Sequence, residues 1–189
     1  MRTLYPVVWL LCMLIGMSVT QAETRQTDAT DLHIETVKSG FAHPWGMVEL
    51  PGGDILITER NGQLKRLTPN GLVVSILGTP KTVFQEGQGG LLDIALAHDF
   101  TSTRRIYLSY AAADERGQAG TEVVMATLSK DVLIDSKVIF SALPKRGGGR
   151  HFGSRLLVTD QHLFITLGDR GHRERAQFTE DHLGRVDLS

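Results

Sequence analysis

A recurring pair of short strand-forming segments, joined by a polar turn, sets the narrowest limits on the fold of this chain. The first pair comprises residues 54–59 and 64–67, and the turn between them contains Asn61-Gly62. Asn-Gly tolerates the positive φ angles of a tight type I′ turn, so this segment predicts a β-hairpin. Further pairs of the same kind are residues 91–96 with 106–110, and residues 155–158 with 162–167.

The spacing of these pairs indicates the architecture. Aligning Ile57, Leu108 and Ile165 gives intervals of 51 and 57 residues. Periods of this size are typical of β-propeller blades, each of which packs against its neighbours to bury both faces. A β-sandwich with loops of unequal length is the alternative that the spacing leaves open. Because a propeller closes with about four to eight blades and this chain has room for about three, we predict an all-β fold, a partial β-propeller.

Residues 1–22 have the layout of a secretory signal peptide. Arg2 precedes the apolar residues 7–17, and small residues lead to a predicted cleavage after Ala22. The apolar stretch is shorter than the roughly 20 residues of a membrane-spanning helix, so no membrane span is expected after cleavage. Cleavage would also remove Cys12, the single cysteine. We expect a periplasmic or secreted protein, with residues 23–36 as an N-terminal extension and residues 37–189 as its folded domain.

Composition and charge exclude other classes of protein. Hydrophobic residues make up 41% of the chain and charged residues 22%, which is typical of a globular protein. The 20 basic and 21 acidic residues leave a net charge of -1, so no long-range field would attract a nucleic-acid partner. The sequence also lacks the glycine motifs of nucleotide-binding folds and the nucleophile elbow of serine hydrolases.

Among the seven histidines, His151 has the most distinctive surroundings. Glycines at 147–149 and 153 would let the backbone approach a ligand closely, and an imidazole titrates near neutral pH. His151 is therefore a candidate general base, the alternative being an ordinary loop histidine. Gln88 precedes one strand of the repeat and Asp169 follows another. Their segments are as compatible with simple turns as with a site, but loops on one rim of a propeller converge on its central channel.

Six motifs in a fixed order carry a resemblance to a known family. They are His43-Pro44-Trp45-Gly46, Glu59-Arg60-Asn61-Gly62, residues 87–93 with His98-Asp99-Phe100, residues 105–110, residues 151–156, and Leu167-Gly168-Asp169. With these motifs the chain resembles the soluble pyrroloquinoline-quinone-dependent sugar dehydrogenases of the glucose/sorbosone dehydrogenase family. It is most similar to their periplasmic aldose sugar dehydrogenase branch, over about residues 37–186.

The resemblance implies a six-bladed propeller with pyrroloquinoline quinone and calcium in its central channel. It implies oxidation of an aldose at C1 to a lactone by hydride transfer to the quinone cofactor, whose electrons then pass to a second quinone or another electron acceptor. His151 matches the family's catalytic base, Asp169 the carboxylate that orients it, and Gln88 a glutamine that lines the sugar and cofactor pocket. Arg150 departs from the family pattern, in which a small polar or acidic residue is common just before the histidine, and Ser154 stands where the family commonly has glycine. Arg150 would place a cation beside the base in the substrate and cofactor pocket, where it could lower the pKa of the imidazole.

The resemblance also implies that part of the site lies elsewhere. In the family, the arginine that contacts the quinone and the calcium ligands lie in the second half of the propeller, so no residue here is assigned to the metal. Residues 37–189 then correspond to the N-terminal half of the domain. We expect a truncated chain that is inactive and poorly stable, with the apolar segments 156–158 and 163–165 exposed. The alternatives are a non-catalytic sugar- or protein-binding propeller and a calcium-dependent lactonase-like propeller.

Overall fold

The computed structural model describes residues 22–26 and 30–188, which divide into two units at residues 39 and 40. In the first unit, strand β1 (Ala22–Gln26) pairs antiparallel with β2 (Asp31–Glu35). The described part of the predicted extension is therefore a hairpin. The predicted signal peptide, apart from Ala22, lies outside the described residues, and it stays a prediction.

Within residues 40–188 of the second unit, the strands form three antiparallel sheets in which neighbours along the chain are neighbours in the sheet. The first sheet contains β3 (Pro44–Glu49), β4 (Ile55–Glu59), β5 (Leu64–Leu67) and β6 (Val73–Ile76). The second contains β7 (Leu91–Leu96), β8 (Arg105–Ala113), β9 (Ala119–Ser129) and β10 (Val132–Ser141). The third contains β11 (Gly153–Val158), β12 (Leu163–Leu167) and β13 (Val186–Leu188).

The repeat predicted from the sequence is present in these sheets. Ile57, Leu108 and Ile165 each lie on the second strand of their sheet, opposite Met47, Ile94 and Leu156 of the first strand. The first strands of successive sheets also pack against each other, β3 against β7 and β7 against β11. This is the arrangement of propeller blades, and the predicted all-β partial propeller of about three blades is confirmed.

Two features of the second sheet were not predicted. The pattern did not single out β9 and β10, and it predicted no helix in the polar loop, residues 97–105, that joins the two segments of the second pair. Part of that loop is a single helical turn, α1 (Phe100–Thr103), which ends at Arg104 in the left-handed conformation. The buried Phe100 anchors this turn. A short 3-10 helix covers Arg173–Gln177, and no helix in the described residues is long and apolar enough to cross a membrane.

Apolar side chains fill the spaces between successive sheets. Leu56 and Leu64 of the first sheet pack with Ile106 and Leu108 of the second, and all four are fully buried. A second cluster joins the second and third sheets, and its members include Leu163 and Ile165. The expectation that residues 163–165 are exposed is therefore wrong for these two residues, whose exposed fractions are 4% and 0%. The second sheet covers them. Leu157, by contrast, is 63% exposed.

Candidate active site

Three loops meet at one end of the sheets and bring together three of the residues that the sequence predicted. The loops are residues 86–90 before β7, residues 146–152 before β11, and residues 168–171 after β12. The backbone N–H of Gln88 donates to the Gly149 carbonyl at 2.5 Å, and the backbone N–H of His151 donates to Gln88 Oε1 at 2.8 Å. His151 in turn contacts Asp169. Long-range contacts thus assemble the site from segments that are far apart in the sequence.

Glycines allow these loops to come so close. A Cβ atom at Gly87 would overlap the backbone of Gly149, and one at Gly168 would overlap the carbonyl of His151. Gly168 also donates its N–H to the Phe152 carbonyl at 3.1 Å. Larger residues at these two positions would push the loop that carries His151 away from its neighbours.

The pair formed by His151 and Asp169 defines the chemistry of the site. Nδ1 of His151 lies 2.7 Å from Oδ1 of Asp169, and the same oxygen accepts the backbone N–H of Gly171 at 2.8 Å. The hydrogen bond from His151, followed by that from Gly171, holds the pKa of Asp169 below its usual value. An ionised carboxylate can only accept hydrogen bonds, so Nδ1 carries a proton, and in the neutral form of this imidazole Nε2 has the free lone pair. About half of the His151 side chain, 49%, is exposed, so the imidazole is not sealed from solvent.

A cavity of about 260 Å³ adjoins this pair. The residues that line it are Trp45, Arg60, Gln88, Leu92, His151, Phe152 and Gly153. Trp45 and Arg60 were not predicted as site residues, although both belong to the motifs that carried the family resemblance. Nε of Arg60 donates to the Gly89 carbonyl at 3.2 Å, and its Nη2 bonds the Gly87 carbonyl. Arg60 therefore links the first sheet to the loop that holds Gln88.

Behind Trp45, a buried acid supports this wall of the cavity. Arg155 lies over the Trp45 ring at 4.2 Å and donates to Asp93 Oδ1 at 3.0 Å. The other carboxylate oxygen of Asp93 accepts the Leu156 N–H at 2.8 Å. Trp45 of β3 thus packs under Arg155 of β11, which Asp93 of β7 holds in place, so the first strands of all three sheets fix the indole ring.

Arg150 does not join the predicted site. Its side chain is exposed and lies beside Gly171, where Nε would be 2.8 Å from a Cβ added to that glycine. It is not among the residues that line the cavity of Gln88 and His151. A role for Arg150 in binding the substrate or cofactor stays a prediction. For a metal, the described residues contain no group of three or more His, Cys, Asp and Glu side chains that could hold one.

Comparison with known sequences connects these residues to one family. The profile of the glucose/sorbosone dehydrogenase family matches residues 41–187. Aldose sugar dehydrogenase YliI of Escherichia coli (strain K12) is 38% identical over 160 residues. The match covers 82% of this chain and 43% of that relative.

Solved structures give the same result. The crystal structure of the soluble aldose sugar dehydrogenase from Escherichia coli in the apo-form matches with a TM-score of 0.74 and 38% identity, over 78% of this chain and 44% of that one. The PQQ-bound form of aldose sugar dehydrogenase from Streptomyces coelicolor has a TM-score of 0.73 and 25% identity, over 90% and 49% of the two chains. The chain spans about half the length of these relatives or less. It belongs to the glucose/sorbosone dehydrogenase family.

Proposed function

We propose that this chain carries the catalytic base of a sugar dehydrogenase that oxidises aldoses at C1 to lactones. The observation that carries the proposal is the hydrogen-bonded pair of His151 and Asp169, whose histidine lines a cavity. Family membership and the names of the relatives support the same reaction class, since both the Escherichia coli and the Streptomyces coelicolor protein are aldose sugar dehydrogenases.

In the proposed reaction, Nε2 of His151 accepts the proton of the C1 hydroxyl as a hydride leaves C1. The substrate loses two electrons and two hydrogens, and the C1–O bond becomes the carbonyl of the lactone. The imidazole becomes a cation, which the ionised Asp169 stabilises across the 2.7 Å hydrogen bond. Asp169 also holds Nδ1 in place, so Nε2 keeps a constant direction toward the substrate.

The cavity residues fit one wall of a pyrroloquinoline quinone site. When bound, this cofactor would supply the two-electron acceptor for the hydride. The quinone is a flat ring system with three carboxylates, and the cavity offers the flat indole of Trp45, the cation of Arg60 and the amide of Gln88. Gln88 already uses Oε1 to accept the His151 N–H, so its amide nitrogen is available to donate.

The described residues do not offer a comparable fit for calcium, because they gather no cluster of metal-binding side chains. Calcium is proposed only from the family resemblance, and no step of the reaction is assigned to it. Two further properties are likewise proposed from the family resemblance: transfer of electrons onward to a quinone or other acceptor, and location in the periplasm. The second of these depends on the predicted cleavage after Ala22.

Dye-linked oxidation of aldoses, with and without pyrroloquinoline quinone and calcium, tests the proposal. Because the chain spans about half of its relatives, we would assay both the 189-residue chain and a fusion that continues with the remaining part of the Escherichia coli relative. We expect the fusion to oxidise glucose only when the quinone is added. The shorter chain should be inactive, because it supplies only one wall of the site.

Two results would overturn the proposal. One is a folded fusion that binds sugar but oxidises none with the quinone present, which would indicate a non-catalytic propeller. The other is oxidation at the same rate without the quinone. Hydrolysis of a lactone that requires calcium alone would instead favour the lactonase-like alternative.

A further inference from the structure

Arg170, the residue after Asp169, is a buried cation that the proposed reaction does not use. Its exposed fraction is 4%, and its guanidinium lies 3.6 Å from the centre of the Phe152 ring. Among the described residues, it forms no ion pair with a carboxylate. Burial lowers the pKa of Arg170 to about 10, which still leaves the side chain charged at neutral pH.

Backbone carbonyls take the place of a carboxylate partner. Nε of Arg170 donates to the Ala119 carbonyl at 3.3 Å. Nη2 donates to the backbone carbonyls of Arg146, at 3.3 Å, and Gly148, at 2.5 Å. Nη1 bonds the carbonyl of Arg150. Three of the four acceptors therefore belong to the loop that carries His151, and the fourth belongs to the second sheet.

The backbone of Arg170 continues the same connection. Its N–H donates to the His151 carbonyl at 3.2 Å, while the preceding residue, Asp169, holds the His151 side chain. Arg170 itself has φ of 53°, an uncommon value for a residue other than glycine. A buried charge and an unfavourable backbone conformation both cost stability, and both occur next to the histidine–aspartate pair.

We propose that Arg170 is the positioning residue of this site. Its guanidinium fastens residues 146–150 to the second sheet, and so keeps Nδ1 of His151 on the carboxylate of Asp169. The importance of this role for catalysis rests on the proposed function. The effect of Arg170 on the geometry of the His151–Asp169 pair does not depend on that function. Lysine has a single ammonium group and cannot reproduce the planar fork of donors that binds several carbonyls at once.

The test compares Arg170→Lys and Arg170→Met with two variants at Arg104. Arg104 is a matched control because it also stacks on a phenylalanine, Phe100 at 4.3 Å, and also has positive φ, 59°. It differs in being exposed and in ending α1, outside the three site loops. Arg104→Lys and Arg104→Met thus repeat the chemical changes without touching the proposed fastening.

Nuclear magnetic resonance provides readouts that do not depend on activity. In the unsubstituted chain we expect the proton of His151 on Nδ1 and a pKa of Asp169 below its usual value. Arg170→Lys should populate the other tautomer, raise the pKa of Asp169 toward that of an ordinary aspartate, and speed exchange of the His151 amide proton at least about tenfold. Arg170→Met should cause larger changes in the tautomer, the pKa of Asp169 and the amide exchange. The two Arg104 variants should leave all three unchanged.

The outcomes separate this proposal from the proposed function. If Arg170→Lys folds and leaves the tautomer, the titration and the amide exchange unchanged, the positioning role is wrong, whether or not the protein oxidises sugars. If Arg170→Met does not fold, the lysine variant alone decides. If the signals shift as expected but the fusion oxidises no aldose, the positioning role stands and the proposed function fails.

Discussion

The second sheet is longer and better covered than the third, whereas the third sheet carries the histidine–aspartate pair. In the second sheet, β8 and β9 pair along nine positions, from Arg105 opposite Thr127 to Ala113 opposite Ala119, and apolar clusters cover both faces. In the third sheet, β13 has three residues, and both apolar residues at its ends are more than half exposed. Yet His151 and Asp169 lie at the ends of strands of the third sheet. A well-covered sheet thus supports a site whose histidine–aspartate pair lies on the loops of a smaller one.

The largest expected effect is on activity and comes from the loops of the third sheet. We expect His151→Gln to reduce kcat/KM of the fusion protein about 10²- to 10⁴-fold, because glutamine cannot accept the proton. His162→Gln is the control, since that exposed histidine lies between β11 and β12, outside the cavity. Steady-state assays on both variants check the comparison. Equal losses in the two would show that His151 has no special role.

The next effect is on stability and belongs to the second sheet. Leu108 is 0% exposed and packs against the first sheet, so Leu108→Ala should lower the free energy of unfolding by about 2–5 kcal/mol. Leu157→Ala, on the exposed face of the third sheet, should change it by less than about 0.5 kcal/mol. Urea unfolding followed by circular dichroism measures both. Similar losses would mean that the third sheet is as tightly covered as the second.

A smaller effect depends on pH and tests the polar part of the second sheet. Glu122 on β9 accepts hydrogen bonds from Lys145 Nζ at 2.6 Å and from the Tyr110 hydroxyl at 2.8 Å. Burial alone would raise the pKa of Glu122, but the bonds from Lys145 and Tyr110 outweigh it and hold this pKa below its usual value. The folded state therefore gains stability from the ionised carboxylate at neutral pH, and loses that gain as the pH falls below about 4.5.

Glu122→Gln should cost about 1–3 kcal/mol at pH 7, because the largely buried Lys145 loses its charged partner. The difference between the variant and the unsubstituted chain should shrink as the pH is lowered through the pKa of Glu122. Urea unfolding at several pH values gives both curves. Glu115→Gln, in the exposed turn between β8 and β9, is the control and should show no such convergence. Curves that stay parallel at all pH values would mean that the carboxylate does not stabilise the fold.

Local signals predicted most of the fold. The turn at Asn61-Gly62 and the alternation of apolar residues depend on near neighbours, so β4 and β5 and the repeat of second strands could be predicted. In the third sheet, residues 163–165 were expected to be exposed. Whether they are covered depends on residues of the second sheet such as Val123, which lies some 40 positions away in sequence. Burial between blades was not visible in the local pattern.

The residues of the candidate site likewise fall into those that local sequence signals identified and those that only the folded chain reveals. His151 was identifiable because glycines flank it, and Gln88 and Asp169 because they lie at strand ends. Arg170 gave no comparable signal, since its partner Ala119 is 51 positions away. Trp45 and Arg60 occurred in recognisable motifs, but only the folded chain shows that they line the same cavity as His151. Their contacts cross between sheets, and a single sequence does not record such contacts.

The smallest expected effect lies at Ser154, where the second and third sheets join. Its hydroxyl lies 3.1 Å from that of Thr121, and its carbonyl accepts the Ser109 hydroxyl at 2.7 Å. Its φ of 86° is a conformation that favours glycine, which explains the glycine expected here from the family resemblance. Ser154→Gly removes a buried hydrogen bond and relieves the backbone, and each contribution is about 1 kcal/mol.

Because these two contributions oppose each other, Ser154→Gly should change the free energy of unfolding by less than about 0.5 kcal/mol. Ser154→Ala keeps the unfavourable φ and loses the hydroxyl, so it should cost about 1–2 kcal/mol. Urea unfolding of the two variants separates the contributions. If the alanine and glycine variants were equally stable, the backbone at residue 154 would not be strained.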